Sequence, residues 1–447
     1  MVGTRGSLLR VLGVGFGIAV AVGGGVGVGI LRTPGAIAEA LPHPGLILLV
    51  WVLGGAYALL QANNLSELAA AHPRSGGPYV FARRAFGPYG GFVVGWADWL
   101  SLVVATAYLP LALGEFVARL VPAWLGFEPL IAFLALATLL GVQMRGVKAG
   151  SRVQEVVALL KALALLAFVA LCFVAAPAAR EVAAPAAALV PQRPVTVLAF
   201  AGALQLVIGA YGGWYAAAFF GEEQKDPGRA VPRALLSSVL VMLVLYVSVN
   251  LAYLRILPMG EFMASKLPAA SAMQRVFGGA SDQVVTALSV LLMIGIVNAL
   301  VMIAPRALYA LACDGLFVRQ AVSVNTGGTP VGATIATVAV AVALAATGTF
   351  ERLFALTAFL MIVVDASNNV GLLLLRVREP EMARPYRAIG APATTIVSLC
   401  VALALLAGFT ASDPRTAAIG VAFIACSYPL FRFASRGAAA RTTPSTA

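Results

Sequence analysis

Apolar residues along this chain gather into runs of roughly 20, the length that crosses the hydrocarbon core of a bilayer as a helix, and short segments with charges, glycines and prolines separate them. Walking the pattern places spans near 11–40, 45–70, 86–119, 128–147, 154–176, 196–220, 233–257, 283–311, 330–347, 352–375, 392–410 and 415–432. The short alternating segments of a membrane β-barrel are missing from the pattern. Lipid offers no partner to bare backbone groups, so spans of this kind are expected to be helices. The predicted fold is an all-α integral membrane protein of about twelve transmembrane helices. An even number of spans leaves both termini on one side. Nineteen of the 30 lysines and arginines fall in segments on the N-terminal side and eight on the other, which predicts cytoplasmic termini. The first run has no small-residue cleavage site ahead of a polar mature domain and is read as a retained helix.

Composition sharpens this picture. Of 447 residues, 61% are hydrophobic and 11% charged, whereas a soluble domain carries roughly 25% charged residues. The net charge of +12 is dispersed over short loops, as topology signals and contacts to anionic lipid, and no nucleic-acid partner is expected. Cys172, Cys313, Cys400 and Cys426 stand singly, without metal-ligand spacing. With two histidines, His43 and His72, no metal site, cofactor or catalytic constellation is expected, and the chain is not read as an enzyme. Trp96, Trp99 and Trp124 fall near predicted span ends and read as interface residues. The polar tail 436–447 reads as disordered.

The stretch GGGVGVGILRTPG (23–35) interrupts the first span. A phosphate loop would need a preceding strand and an acidic ribose partner, and the flanks here are apolar helix. Gly23/Gly27 and Gly25/Gly29 are pairs that let helices approach closely. A break at mid-membrane is the further reading: glycine-rich backbone unwinds at little cost, and the freed N–H and C=O groups become ligands. That reading predicts a second broken helix in a second half, and QLVIGAYGGWYAAAFFGEE (205–223) supplies one. Spans 1 and 6 each open a set of five, as in an inverted repeat: a first repeat over 11–176, a second over 196–375, then two further helices over 392–432. The second half of span 1 begins near Val28 with its N–H groups toward the gap, a place for a carboxylate. Carbonyls near Gly24, Gly25, Gly209 and Ala210 suit an ammonium. A site wanting both charges is an amino-acid zwitterion site.

The stretches GVGVGILRTPG (25–35), SELAAAHPRSGGPYVFARRAFGPYGGFVVGW (66–96), YGGWYAAAFFGEEQKDPGRAVPRAL (211–235) and NALVMIAPRALYALACDGLF (298–317) resemble the amino acid–polyamine–organocation transporter superfamily, close to its L-type and basic amino-acid permeases. The resemblance implies the leucine-transporter fold, alternating access and an amino-acid substrate. It puts the substrate-binding backbone on Gly25, Val26, Val28 and Gly29 in span 1, and on Gly209, Ala210, Tyr211 and Gly212 in span 6. Many relatives carry a hydroxyl residue where Val28 stands, and many L-type relatives a large aromatic where Gly209 stands; Tyr211, Trp214 or Tyr215 are the residues left to cap the substrate. In many relatives a lysine at the place of Lys161 stands where sodium-coupled members hold an ion, which implies sodium-independent transport; the alternative is a lysine reaching back to the interface.

Other intramembrane charges leave two readings each. Arg32 is a selectivity charge, or an outward arginine paired with Glu39 or wet. Asp365 is a proton carrier in span 10 or a hydrogen-bonded structural acid. Asn298, Asp98, Glu115 and Glu67 are further candidates, and Glu67 with Glu222 and Glu223 read as ion pairs with Arg74, Arg83, Arg84 and Arg229. The expected protein is a secondary active transporter of neutral amino acids in the plasma membrane (the inner membrane if bacterial), sodium-independent, working as exchanger or proton symporter. Its partners are the substrate and the bilayer; a non-transporting amino-acid receptor on the same fold is the alternative.

Overall fold

A computed structural model describes residues 7–183, 194–346 and 350–442; Arg5, Arg193 and the tail from 443 onward lie outside the described residues. The chain winds as α1 (Val14–Gly25), α2 (Gly29–Ala40), α3 (Pro44–Ala71), α4 (Pro78–Leu120), α5 (Glu128–Met144), α6 (Val147–Ala183), α7 (Val197–Ala210), α8 (Pro227–Ile256), α9 (Met259–Ala264), α10 (Pro268–Phe277), α11 (Ser281–Cys313), α12 (Val331–Ala345), α13 (Phe350–Arg378), α14 (Ala393–Ser412), α15 (Pro414–Ala425) and α16 (Ser427–Thr442). Eight helices among the described residues are long and apolar enough to cross a membrane. The bent pair α1–α2 adds a broken span, and α5, α7 and α12 are shorter apolar helices. These are the twelve segments that the apolar runs predict. The polar tail expected from 436 begins inside α16.

Local chemistry fixes many of the ends. Pro44, Pro78 and Pro227 each stand in the first turn of a helix, where a missing N–H costs nothing. Thr196 caps α7 by accepting from Ala199 N at 3.1 Å, and Asp413 caps α15 by accepting from Thr416 N at 3.0 Å. Helix α4 bends at Gly87.

The broken helix α1 lies at the centre, packed on α6, α8 and α11, while α4 packs along α11 and α13, and α3 along α8. Val20, Val22 and Val26 are buried there. On the face that carries the N-terminus, Leu12 exchanges backbone bonds with Glu223 and Lys225. Ion pairs, some buried and some exposed, close the same face. Arg306 donates to Glu223 at 2.5 and 2.7 Å with its guanidinium 4.1 Å over the Phe220 ring. Glu67 accepts from Arg376 at 2.5 and 3.0 Å and from Ala388 N at 2.7 Å. Asp314 takes Arg83, Arg74 and the Tyr79 hydroxyl, and Arg84 takes Glu379. The carboxylates therefore pair differently from the sequence reading, which set Glu67 and Glu223 against the arginines of 74–84 and Arg229. Those neighbours are close along the chain, while the observed partners come from α11 and α13.

Two tryptophans also differ from expectation. Trp99 is buried with its Nε1 donating to Thr337 at 3.2 Å, and Trp96 donates to the Phe423 carbonyl at 3.2 Å. Their indoles fill space between α4, α12 and α15, whereas Trp124 is exposed as an interface residue would be.

Candidate functional site

Helix α1 stops at Gly25 and α2 starts at Gly29 after a bend of 51°. Val26, extended at φ −73° and ψ 104°, ends the first half. In span 6, α7 stops at Ala210; Tyr211–Gly213 turn, and the chain continues as a 3-10 segment over Trp214–Phe219. Gly213 has φ +96°, a conformation that a side chain disfavours. The two breaks lie against each other backbone to backbone: a Cβ on Gly213 would fall 2.7 Å from Gly24 C and Gly25 N, and one on Gly25 would fall 2.8 Å from the Gly212 carbonyl oxygen. Gly29 faces Ala210. Glycine is required here because two main chains occupy the space where side chains would stand.

Hydrogen bonds hold this crossing together. Lys161 of α6, fully buried, donates from Nζ to Gly23 O at 2.7 Å and Val26 O at 2.9 Å. The Tyr246 hydroxyl of α8 lies 2.9 Å from Ala210 O and 3.2 Å from Gly25 O, reaching carbonyls of both breaks. The Tyr253 hydroxyl donates to Ile30 O at 3.3 Å. Sequence reasoning missed Tyr246. Its signal was a phenol in the middle of an apolar run, where the hydroxyl needs a partner.

What the crossing leaves unmade gives it chemistry. Among the described residues no acceptor meets the N–H groups of Gly27, Val28, Gly29 or Ile30, and no donor meets the carbonyls of Gly24 or Gly212. The first set carries the positive end of the α2 dipole and suits an anion; the second suits a cation. Val28 and Gly29 are partly exposed, Gly209 is exposed, and nothing lies within 4 Å of a Cβ on Gly209. The expected substrate backbone Gly25, Val26, Val28, Gly29, Gly209, Ala210 and Gly212 thus comes together at one place.

Other candidates lie elsewhere. Tyr211 is held between Trp51 and Tyr246, with ring centroids at 6.1 and 4.9 Å, and its hydroxyl donates to Trp51 O at 3.1 Å. Trp214 is buried edge-on to Tyr215. Tyr215 lines a small cavity with Asp98, Asp365 and Asn368. Asn298 accepts from Gln143 at 3.0 Å and donates to Gln154 at 2.6 Å, a chain that ties α5, α6 and α11 together behind α1. Arg32 is exposed, as is Glu39, and among the described residues no ion pair joins them.

Two interrupted helices that cross inside a many-span bundle, leaving main-chain donors and acceptors at the crossing, define a membrane solute carrier. The chain belongs to the amino acid permease family, whose family model matches residues 7–431; it is a membrane transport protein and not an enzyme. It is similar to the serine/threonine exchanger SteT of Bacillus subtilis (strain 168), 24% identical over 308 residues, 68% of this chain and 69% of that one. It is similar also to the Asc-type amino acid transporter 1 of Mus musculus, 25% identical over 90% of this chain and 77% of that one. The cystine/glutamate transporter of Homo sapiens is 24% identical over 90% of this chain and 80% of that one.

Proposed function

We propose that this permease moves an amino-acid zwitterion through the crossing of spans 1 and 6 by alternating access, between two five-helix sets related as an inverted repeat, with both termini in the cytoplasm. One observation carries the reading: among the described residues the N–H groups of Gly27–Ile30 and the carbonyls of Gly24 and Gly212, at the two breaks, have no partner, which supports a main-chain site for a carboxylate and an ammonium together. The closed N-terminal face and the exposed Gly209 fit a conformation open to the opposite side.

Neutral substrates fit best. Among the described residues no charged side chain other than Lys161 bonds to the crossing, and Lys161 is engaged with Gly23 O and Val26 O. The open space at Gly209 leaves room for a side chain. Serine and threonine are what SteT exchanges by its name, and that chemistry suits this site. An ammonium on the Gly23 and Val26 carbonyls takes the oxygens that a sodium ion would need, so transport is sodium-independent.

The test is uptake into proteoliposomes across a panel of amino acids that includes glutamate, cystine and lysine, with sodium or choline outside and with or without internal amino acid. Saturable uptake of neutral members, unchanged in choline, is expected. Uptake that requires sodium overturns the role of Lys161, preference for glutamate overturns the neutral reading, and binding without counterflow identifies a receptor instead.

A further inference from the structure

Toward the N-terminal face from the crossing, Asp98 of α4 and Asp365 of α13 line one cavity of about 10 Å³ with Asn368 and Tyr215, room for about one water-sized group. Asp98 Oδ2 and Asn368 Oδ1 are buried acceptors without a partner among the described residues, and Asp98 is 4% and Asn368 9% exposed. Tyr215 follows the Gly213 turn by two residues, and its hydroxyl points to Met361 Sδ at 3.6 Å. Among the described residues no lysine, arginine or histidine lines the cavity. The other described titratable groups in electrostatic reach are phenols: Tyr57 of α3 is influenced by Asp365, and Tyr215 by Tyr108 of α4. Tyr57 already accepts from Gln61 at 2.7 Å.

Two carboxylates in such a place face a large desolvation cost and repel each other. Like-charged carboxylates that share a site relieve this by keeping one proton between them. The remaining lining is apolar, which leaves a bare alkali ion few ligands. We propose that Asp98 and Asp365 form a shared-proton site: one proton arrives from water as hydronium, forms an O–H bond on a carboxylate of the pair as a water molecule is released, and later returns to water as hydronium, without electron transfer. The neighbouring acceptors, Asn368 Oδ1 above all, give the added O–H somewhere to point. Through Tyr215 the site adjoins the span-6 turn, so its loading is coupled to the crossing; this coupling rests on the transport reading above, whereas the shared proton does not.

Infrared titration of the full-length protein in proteoliposomes separates the two. The wild type, in sodium-free buffer, is expected to show the carbonyl band of a protonated buried carboxyl near neutral pH. In Asp98→Asn and in Asp365→Asn the surviving acid has lost its like-charged neighbour, and its band titrates about one pH unit or more toward acid. Absence of the band in the wild type, an unchanged titration in either variant, or loss of the band on adding sodium overturns the pair. If Asp98→Asn does not fold, Asp98→Glu keeps the acid and moves its carbonyl; the band then shifts in frequency, and an unmoved band contradicts the assignment. For coupling, an inward pH gradient is expected to stimulate uptake in the wild type and in neither Asn variant. Uptake that ignores the gradient in the wild type, or stimulation kept in both variants, overturns the coupling and leaves the infrared result standing.

Discussion

At the scale of the residue, Gly213 and Gly209 stand four positions apart in one sequence run and answer to different physics. Gly213 is left-handed and presses on the backbone of Gly24 and Gly25. An alanine there pays the left-handed penalty of about 1–2 kcal/mol and also drives two main chains apart. Gly213→Ala is therefore expected to lower the melting temperature of the purified protein and to abolish uptake. Gly209→Ala meets nothing within 4 Å and fills a helical position that favours alanine by about 1 kcal/mol, so its melting temperature should hold or rise. Equal melting temperatures for Gly213→Ala and the wild type would count against the backbone contact. His72, at the C-terminal end of α3, gives a pH signature: burial lowers its pKa, with Arg84 and Arg384 acting in the same direction and the Leu68 carbonyl opposing. The unfolded chain then binds the proton more readily, so stability attached to this group is lost as pH falls through the ordinary histidine range near 6.5. A His72→Gln variant should show a smaller fall in melting temperature over that range than the wild type. The glycines and Lys161 were legible in the sequence because glycine clusters and a lone lysine are rare in apolar helix. Tyr246 was not, since nothing along the chain reveals which carbonyls its hydroxyl reaches.

At the scale of the element, the helices were legible in their apolar runs and the breaks in their glycines, but the pairing of charges was not. Asp98 lines one cavity with Asp365, and Glu223 meets Arg306, across long stretches of chain, through packing of α4 on α13 and of α11 on the segment after α7. A hydropathy pattern carries the depth of a residue and not its azimuth around the helix, so Asp98 and Asp365 could be placed within spans, and Glu223 near the cytoplasmic face, without the neighbours they have in the structure. The same blindness made Trp99 an interface residue in the sequence reading, although its indole turns inward to Thr337. The Arg306–Glu223 pair is buried on both sides, at 3% and 0% exposure. Truncating one partner of such a pair costs about 3–5 kcal/mol because the other charge stays behind. Glu223→Gln should therefore lower thermal stability markedly, whereas Arg84→Gln, an exposed partner of Glu379, should change it little. A Glu223→Gln protein as stable as the wild type would show that this pair does not hold the N-terminal face closed.

For the whole molecule, the central claim is that two broken spans present main-chain N–H groups and carbonyls to a substrate carrying both charges. The match of residues 7–431 to the amino acid permease family establishes amino acids as the class of cargo, and the groups left open among the described residues at Gly24, Gly27–Ile30 and Gly212 are those proposed to hold it. The most direct test is competition in a counterflow assay, using the amino acid that the panel identifies and two analogues of it: the amide, which lacks the carboxylate, and the 2-hydroxy acid, which lacks the ammonium. Loss of a charged partner from a site built to bond it costs about 1.5–3 kcal/mol per hydrogen bond. Each analogue is accordingly expected to compete at least about tenfold more weakly than the parent amino acid, with side chain unchanged. Competition by either analogue as strong as that of the parent would contradict the account.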